Sequence, residues 1–264
     1  MIERFESYID TDEEARERER SRVGKSLLLI SIICTYFCAL FTTNLSWNEG
    51  LSSSALSHIE SHVAANAVYS PTLIHYSSIG NSRTIMQISL LEHAAECDLT
   101  SINLTGGFVR SQQDFKVHHI DYETISKQNQ RTMSGGRSTS VFRGAIRVER
   151  EAQQTDAQQI AKAIMVSDKA RTWAVPSLEI VADDVSCTHG ATVSDLSDEE
   201  LFYLRSRGME RQKARNLLMG AFVNDVCRKV NGPNQAKVRA VVQTYLENIV
   251  PQGDRKVKGD FQSV

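Results

Sequence analysis

From about Ala67 to Val193 the apolar positions come in short extended runs separated by small polar turns. The clearest run, SVFRGAIRVER, sets Phe142, Gly144, Ile146 and Val148 against Arg143, Ala145, Arg147 and Glu149, a period of two that predicts a strand with one buried face. KAIMVSDKA and SLEIVADDVSC are similar short strands ending in turns that contain Asp, and SGGRS over 134–138 is a turn. No amphipathic helix of convincing length lies between these strands, which argues against a doubly wound sheet. Many short strands at irregular spacing suit a sandwich, a barrel or a parallel β-helix, and the pattern by itself does not choose among them.

The period changes in the last third of the chain. Ser197 and Glu200 form an S-x-x-E capping box that opens a helix expected to end near Arg207, with Gly208 just beyond it. A second helix is predicted from about Glu210 to Val226, with Ala214, Leu217, Leu218, Ala221 and Phe222 on one face. Gly232-Pro233 stops that run, and NQAKVRAVVQTYLENIV offers a third helix before a polar tail. The expected organisation is a β domain followed by a small helical one.

The 264 residues are enough to bury a sizeable core, and 41% hydrophobic with 23% charged residues is ordinary for a globular protein. A net charge of -2 and a pI near 6.4 leave no basic footprint for nucleic acid. The five cysteines, Cys34, Cys38, Cys97, Cys187 and Cys227, are odd in number and form no C-x-x-C pair, so neither a disulfide framework nor a self-contained zinc site is indicated and a reducing compartment fits best. The sequons at Asn44 and Asn103 matter only in a secreted protein.

Residues 12–22, DEEARERERSR, alternate in charge and read as a solvated helix or a disordered run. The apolar segment 26–41, SLLLISIICTYFCALF, falls short of the roughly 20 residues that cross a bilayer. It has the length of a signal-peptide core but an acidic stretch in front of it. A membrane anchor, a targeting segment and translated sequence outside the mature protein all stay open, and with them the question of membrane contact.

Candidate chemistry centres on Cys187 and His189. In an extended segment, side chains two apart point to one face, so a soft sulfur and a borderline nitrogen donor are presented side by side. Two ligands do not complete a tetrahedral site, and a buried thiol beside a hydrogen-bonded imidazole is the competing interpretation. Other signals are weaker. Gly24-Lys25-Ser26 matches the end of a Walker A loop, but Glu19 stands where its first glycine is required. His58 and His62 flank Glu60 in the order H-x-E-x-H, not that of a zinc protease, and are expected at the surface. His118 and His119 alternate faces on a strand, so at most one points inward. Gln153, Thr155, Asp156 and Gln158 read as a polar ladder or turn with a structural role.

The string ADDVSCTHGATVSDLSDEELFYLRSRG, with RTMSGGRSTSVFRGAIRVEREAQQTDAQQ upstream, resembles SufD, one branch of the SufB/SufD family of iron-sulfur cluster assembly scaffolds. The resemblance runs from about Arg83 to about Val226, and CTHGATV is more similar to SufD than to its paralogue SufB. It implies a mainly β fold, a right-handed parallel β-helix with a small C-terminal α-helical domain, whose terminal edges need cover. The expected divisions are an unassigned extension over 1–60, a β-helix core over 61–194 and a helical domain over 195–264.

What the resemblance implies about function follows from that family. The chain is expected to be a non-enzymatic scaffold subunit that pairs with a SufB-like subunit and with a SufC-like ATPase, where ATP hydrolysis takes place. His189, with Cys187 beside it, is expected at a cluster-assembly site on the SufB interface, as an incomplete metal site that the partner completes. The iron-sulfur cluster is then transient and shared, with none held stably by the isolated chain. Phe202, Tyr203, Leu204 and Arg205 are the aromatic, apolar and Arg types that anchor an interface and are expected to dock SufC. The implied compartment is the plastid stroma in a eukaryote and otherwise the cytoplasm. The alternatives are a SufB-like paralogue and a membrane-tethered metal-binding enzyme that would use Cys187, His189 and other histidines.

Overall fold

Successive long strands alternate between two parallel sheets. The computed structural model describes residues 25–34, 43–48, 54–77, 80–229 and 234–249. The first sheet has six strands in the order β1 (Lys25–Cys34), β3 (Ser54–Val63), β6 (Asn81–Leu90), β8 (Arg110–His119), β10 (Thr139–Val148) and β12 (Arg171–Ile180). The second runs β2 (Thr43–Asn48), β5 (Thr72–Ser77), β7 (Glu96–Thr105), β9 (Ile125–Ser134), β11 (Thr155–Met165) and β13 (Val185–Asp195), with the two-residue β4 (Val68–Tyr69) beside β7. Each strand pairs in parallel with the next of its own sheet, so the chain winds as a β-solenoid.

Stacked partners are far apart in sequence. Ala65 and Glu92, Thr105 and Ser134, and Arg83 and Asp114 meet across separations of 27, 29 and 31 residues. Period-two alternation fills the lumen: Phe115, Phe142, Ile146, Val148, Ile88 and Leu90 are all buried there. Phe115 and Phe142 meet edge to face with their centroids 5.6 Å apart, a favoured aromatic geometry. SVFRGAIRVER thus forms the predicted strand, with Gly144 on its inward face. Its outward face carries Arg143 near Asp114 and Arg147 bonded to Glu149 at 2.7 Å.

The stack takes in residues that the sequence left outside the core. β1 lies in register with β3, Lys25 opposite Ser54 and Cys34 opposite Val63. The expected boundary between residues 60 and 61 falls inside β3. Length against a bilayer does not bear on a strand, which needs far fewer residues and takes its register from a neighbour about thirty positions away that a local pattern does not reveal. The charged run 12–22 and residues 35–41 lie outside the described residues. No helix among the described residues is long and apolar enough to cross a membrane.

The three C-terminal helices are α1 (Asp198–Ser206), α2 (Arg211–Lys229) and α3 (Asn234–Ile249). Ser197 caps α1 as predicted, its Oγ accepting from the Glu200 amide at 3.2 Å. At the other end Gly208 takes a φ of 86°, the Met209 amide donates to the Leu204 carbonyl and the Gly208 amide to that of Arg205. These two bonds satisfy carbonyls that α1 leaves free. The buried face of α2 overlaps the predicted one in part: Ala214 is inside and Phe222 packs against the core as predicted, Met219, Val223 and Cys227 are also inside, while Leu217 is 51% exposed and Ala221 points outward. The inward ridge follows a four-residue spacing from Met219 to Cys227, and apolarity alone had drawn Leu217 into the stripe.

α2 and α3 cover the outer face of the second sheet. Ile74, Tyr76, Ile102, Leu104 and Met133 from that sheet share one core with Met219, Val223, Val238 and Tyr245. The Tyr245 hydroxyl donates to the carbonyls of Thr105 at 3.1 Å and Met133 at 2.9 Å, and Arg215 donates to that of Val166 at 2.9 Å. Beta and helical regions are therefore cored together.

Candidate functional site at the open end of the solenoid

The last turn of the solenoid comprises β12 and β13, each the terminal strand of its sheet. Its inward residues are only partly covered because, among the described residues, no further turn lies over them. On β12, Thr172, Ala174, Pro176 and Leu178 are half-buried where the corresponding positions of β10 are sealed. On β13, Val185 and Cys187 pack against the lumen core with Ala174 and Leu178.

Cys187 stands opposite Ala157 of β11, and His189 opposite Gln159, a residue sealed in the lumen. The shared parity of Cys187 and His189 places both on the lumen side of β13, as the C-x-H spacing predicts. Cys187 is half-buried and His189 exposed. Burial, with a smaller contribution from the Asp156 carboxylate and opposed by a backbone hydrogen bond from Ala157, pushes the Cys187 thiol above its ordinary range. The thiol is thus held protonated, and an incoming metal or positive charge is needed to favour the thiolate. No group of three or more His, Cys, Asp or Glu side chains among the described residues could hold a metal ion. Cys187 and His189 are thus two donors at the exposed end of the solenoid, short of the four that a closed tetrahedral site needs.

The free edges of the two sheets differ. The amides of Arg171 and of Val181, just past β12, donate to the carbonyls of Ser138, just ahead of β10, and Val148 at its end, so odd-numbered amides of β12 face inward along the sheet and even-numbered ones face the free edge. Pro176, at an even position, removes a donor from the middle of that edge, as edge strands commonly do. β13 carries no proline. Trp173 and Val175 remain about half exposed on the outer face of β12.

The expected docking residues do not form one surface. Phe202 is 73% and Tyr203 57% exposed, with the Arg207 guanidinium 5.2 Å from the Tyr203 ring centroid, and Arg205 is also exposed. Leu204 is half-buried, while Leu201 is the buried apolar residue of α1. The outward-facing set is Phe202, Tyr203 and Arg205.

Other sequence candidates resolve as structural groups. His119 is fully buried, its two ring nitrogens bonded to Thr124 and Ser126 at 2.8 Å each, whereas His118 faces outward 2.7 Å from Glu149. His58, Glu60 and His62 lie on the outward face of β3, where both histidines are half-buried and His62 is 3.4 Å from Glu60. Gln153 receives the Asp184 amide and Thr155 bonds Ala152 and Thr124, the expected turn ladder. Asn103 is buried within the stack, so its sequon lies inside the fold.

Two pairs of polar side chains in the lumen are not predicted by the apolar pattern. Gln113, Gln128, Gln130 and Gln159 are all buried, with Gln130 donating to Gln113 at 2.6 Å and Gln159 to Gln128. A signal existed in ISKQNQRTMS, where Ser126, Gln128, Gln130 and Thr132 recur at every second position. The alternation there is polar against polar, which a search for apolar periodicity passes over.

Comparison with known proteins agrees with this architecture. The family model described as SUF system FeS cluster assembly, SufBD core domain, matches residues 41–222. The chain therefore belongs to the SufBD core family of iron-sulfur cluster assembly proteins. Within that family it is SufD-like. It is 40% identical over 101 residues to the iron-sulfur cluster assembly protein SufD of Escherichia coli, which is 38% of this chain and 24% of that protein. It is 37% identical over 111 residues to the chloroplastic protein ABCI7 of Arabidopsis thaliana, 42% of this chain and 23% of that one. With the SufBD family protein slr0076 of Synechocystis it shares 33% identity over 149 residues, 56% of this chain and 33% of that protein. The chain thus spans a third or less of the length of these relatives. The family match begins well ahead of Arg83, where the resemblance had been placed.

Proposed function

We propose that this chain is a SufD-like scaffold subunit that joins a SufB-like subunit through the open end of its solenoid and a SufC-like ATPase through α1. Membership of the SufBD core family supplies the process, iron-sulfur cluster assembly. The single observation that carries the placement of the site is the pairing of Cys187 and His189 on the lumen side of the uncovered terminal strand β13.

The chemistry follows from what these two groups lack. A thiol and an imidazole two residues apart bind a cluster weakly on their own and more tightly once a partner chain closes the end and contributes further donors. The cluster is then cargo: opening the joint removes ligands and lets it leave. Hydrolysis of ATP in the SufC-like partner is the proposed source of that opening, with Phe202, Tyr203 and Arg205 as the docking contacts. The chain itself acts as scaffold. Two relatives are named chloroplastic, which supports the plastid stroma as the compartment in a eukaryotic source; for a bacterial source the proposed compartment is the cytoplasm.

Co-expression with SufB-like and SufC-like subunits tests this reading. A stable complex should be recovered, and reconstitution with iron and sulfide should give visible cluster absorption that falls sharply for His189→Ala while the complex stays assembled. Failure to co-purify, or wild-type cluster yield from the His189→Ala complex, overturns it.

A further inference from the structure

Gln159 stands directly beneath the proposed ligand and is left half-satisfied. Leu99, Gln128, Gln159 and His189 are in register on β7, β9, β11 and β13, forming one column of the lumen that ends at the open mouth. Gln159 is 1% exposed, and its Nε2 donates downward to the Gln128 Oε1. Its own Oε1 is sealed from water and has no hydrogen-bond partner among the described residues. Gly144 on the opposite sheet has no side chain to offer, and the Phe142 ring lies beside it. The next side chain up the column is that of His189.

Neighbouring strands are about 4.8 Å apart, so in-register side chains lie side by side, and a rotation of the exposed imidazole brings a ring N–H onto the amide oxygen. A neutral imidazole has one N–H and one lone pair, and a hydrogen bond from the first decides which nitrogen offers the second. We propose that Gln159 is a positioning residue for His189: its Oε1 accepts a ring N–H of the imidazole, fixes the tautomer, and directs the other ring nitrogen toward iron at the mouth of the solenoid. The Gln128–Gln159 bond couples the two amides, since reversing either one alone would set two nitrogens or two oxygens against each other; in the orientation observed Gln159 Oε1 is the atom left for His189. This inference rests on the assembly reading for the task of His189, but the hydrogen bond itself does not.

The full-length chain labelled with nitrogen-15 histidine tests it. At a pH where imidazole is neutral, His189, assigned by loss of its signals in His189→Ala, should show one tautomer and a ring N–H slow enough in exchange to be seen. Gln159→Met, of similar shape but without the acceptor, should lose the slow N–H, and Gln159→Glu, which as the neutral acid donates its O–H to Gln128 Oε1 and keeps a carbonyl oxygen as acceptor, should retain it. In the reconstituted complex the Met variant should give several-fold less cluster and the Glu variant should recover most of it. A slow His189 N–H that survives Gln159→Met overturns the proposal, as does loss of that N–H with unchanged cluster yield. If the Met variant does not fold, a fast-exchanging, mixed-tautomer His189 in the wild-type chain overturns it alone. Wild-type cluster yield from His189→Ala, with the N–H result as expected, removes the assembly reading and leaves the Gln159–His189 bond standing.

Discussion

Gly144 and Gln159 occupy one space between them. A Cβ on Gly144 would press on the Gln159 amide and come within 2.8 Å of Phe142 Cζ, so the missing side chain on β10 is what admits a glutamine from β11. Gly144→Ala should therefore lower stability by about 1–3 kcal/mol, the usual cost of overpacking a filled core. Thermal melting of the variant checks this. Because the two sites are in contact, Gly144→Ala combined with Gln159→Ala should lose less than the sum of the single changes.

Tyr245→Phe should cost about 1 kcal/mol, since it removes the donor shared by the Thr105 and Met133 carbonyls while keeping the ring that meets Tyr76 edge to face. Loss of the solenoid and helix signals should stay coincident in urea, because α3 and the second sheet share a core. Separate transitions would show that the helices fold independently.

Phe202→Ala with Tyr203→Ala should weaken binding to a SufC-like ATPase by on the order of 2 kcal/mol with melting unchanged, as expected for exposed interface anchors. Leu204→Ala should instead lower the stability of the chain itself, since that side chain is half-buried. Titration calorimetry of each variant, paired with its melting curve, separates the two effects.

Burial lowers the pKa of His119 to about 3, with a smaller contribution from His118, and burial lowers that of His75 to about 4. Both folded values lie below the unfolded 6.5, so the stabilisation is present above that pH and is lost as the pH falls toward the folded values. Each histidine should then steepen the loss by about 1.4 kcal/mol per pH unit between roughly pH 6 and 4. Urea unfolding at several pH values should show the steepening, and His119→Gln should reduce it by about one proton's worth.

Burial also keeps the Cys187 thiol protonated. Its alkylation in the isolated chain should be slower than that of a free thiol at neutral pH and should rise only above the ordinary thiol range. Cys187→Ser should reduce cluster yield in the complex less than His189→Ala, because the thiol is the more buried and the less available of the pair. Equal losses would make both obligatory ligands.

The site was more legible in the sequence than much of its surroundings. Cys187 and His189 share a face because β13 is extended, and the caps at Ser197 and Gly208 are local chemistry readable from a few residues. The lumen glutamines were not legible, because what makes them inward is the stack and not contrast with their neighbours. For the same reason β1 escaped: its placement depends on Ser54–Val63, far along the chain. Leu217 and Met219 are both apolar on α2, and only the packed sheet decides which of them is covered.

Pro176 gives the open end an asymmetry with a mechanical meaning. A partner that adds its strands to β13 can continue the second sheet by backbone bonding, whereas beside β12 the missing donor interrupts any such seam. The two subunits would then be stitched along one side and merely abut along the other. A joint of that kind bends about its stitched side, so a pull passed on through α1, which follows β13 in the chain, would open the seam along β12 first while His189 stays beside the hinge.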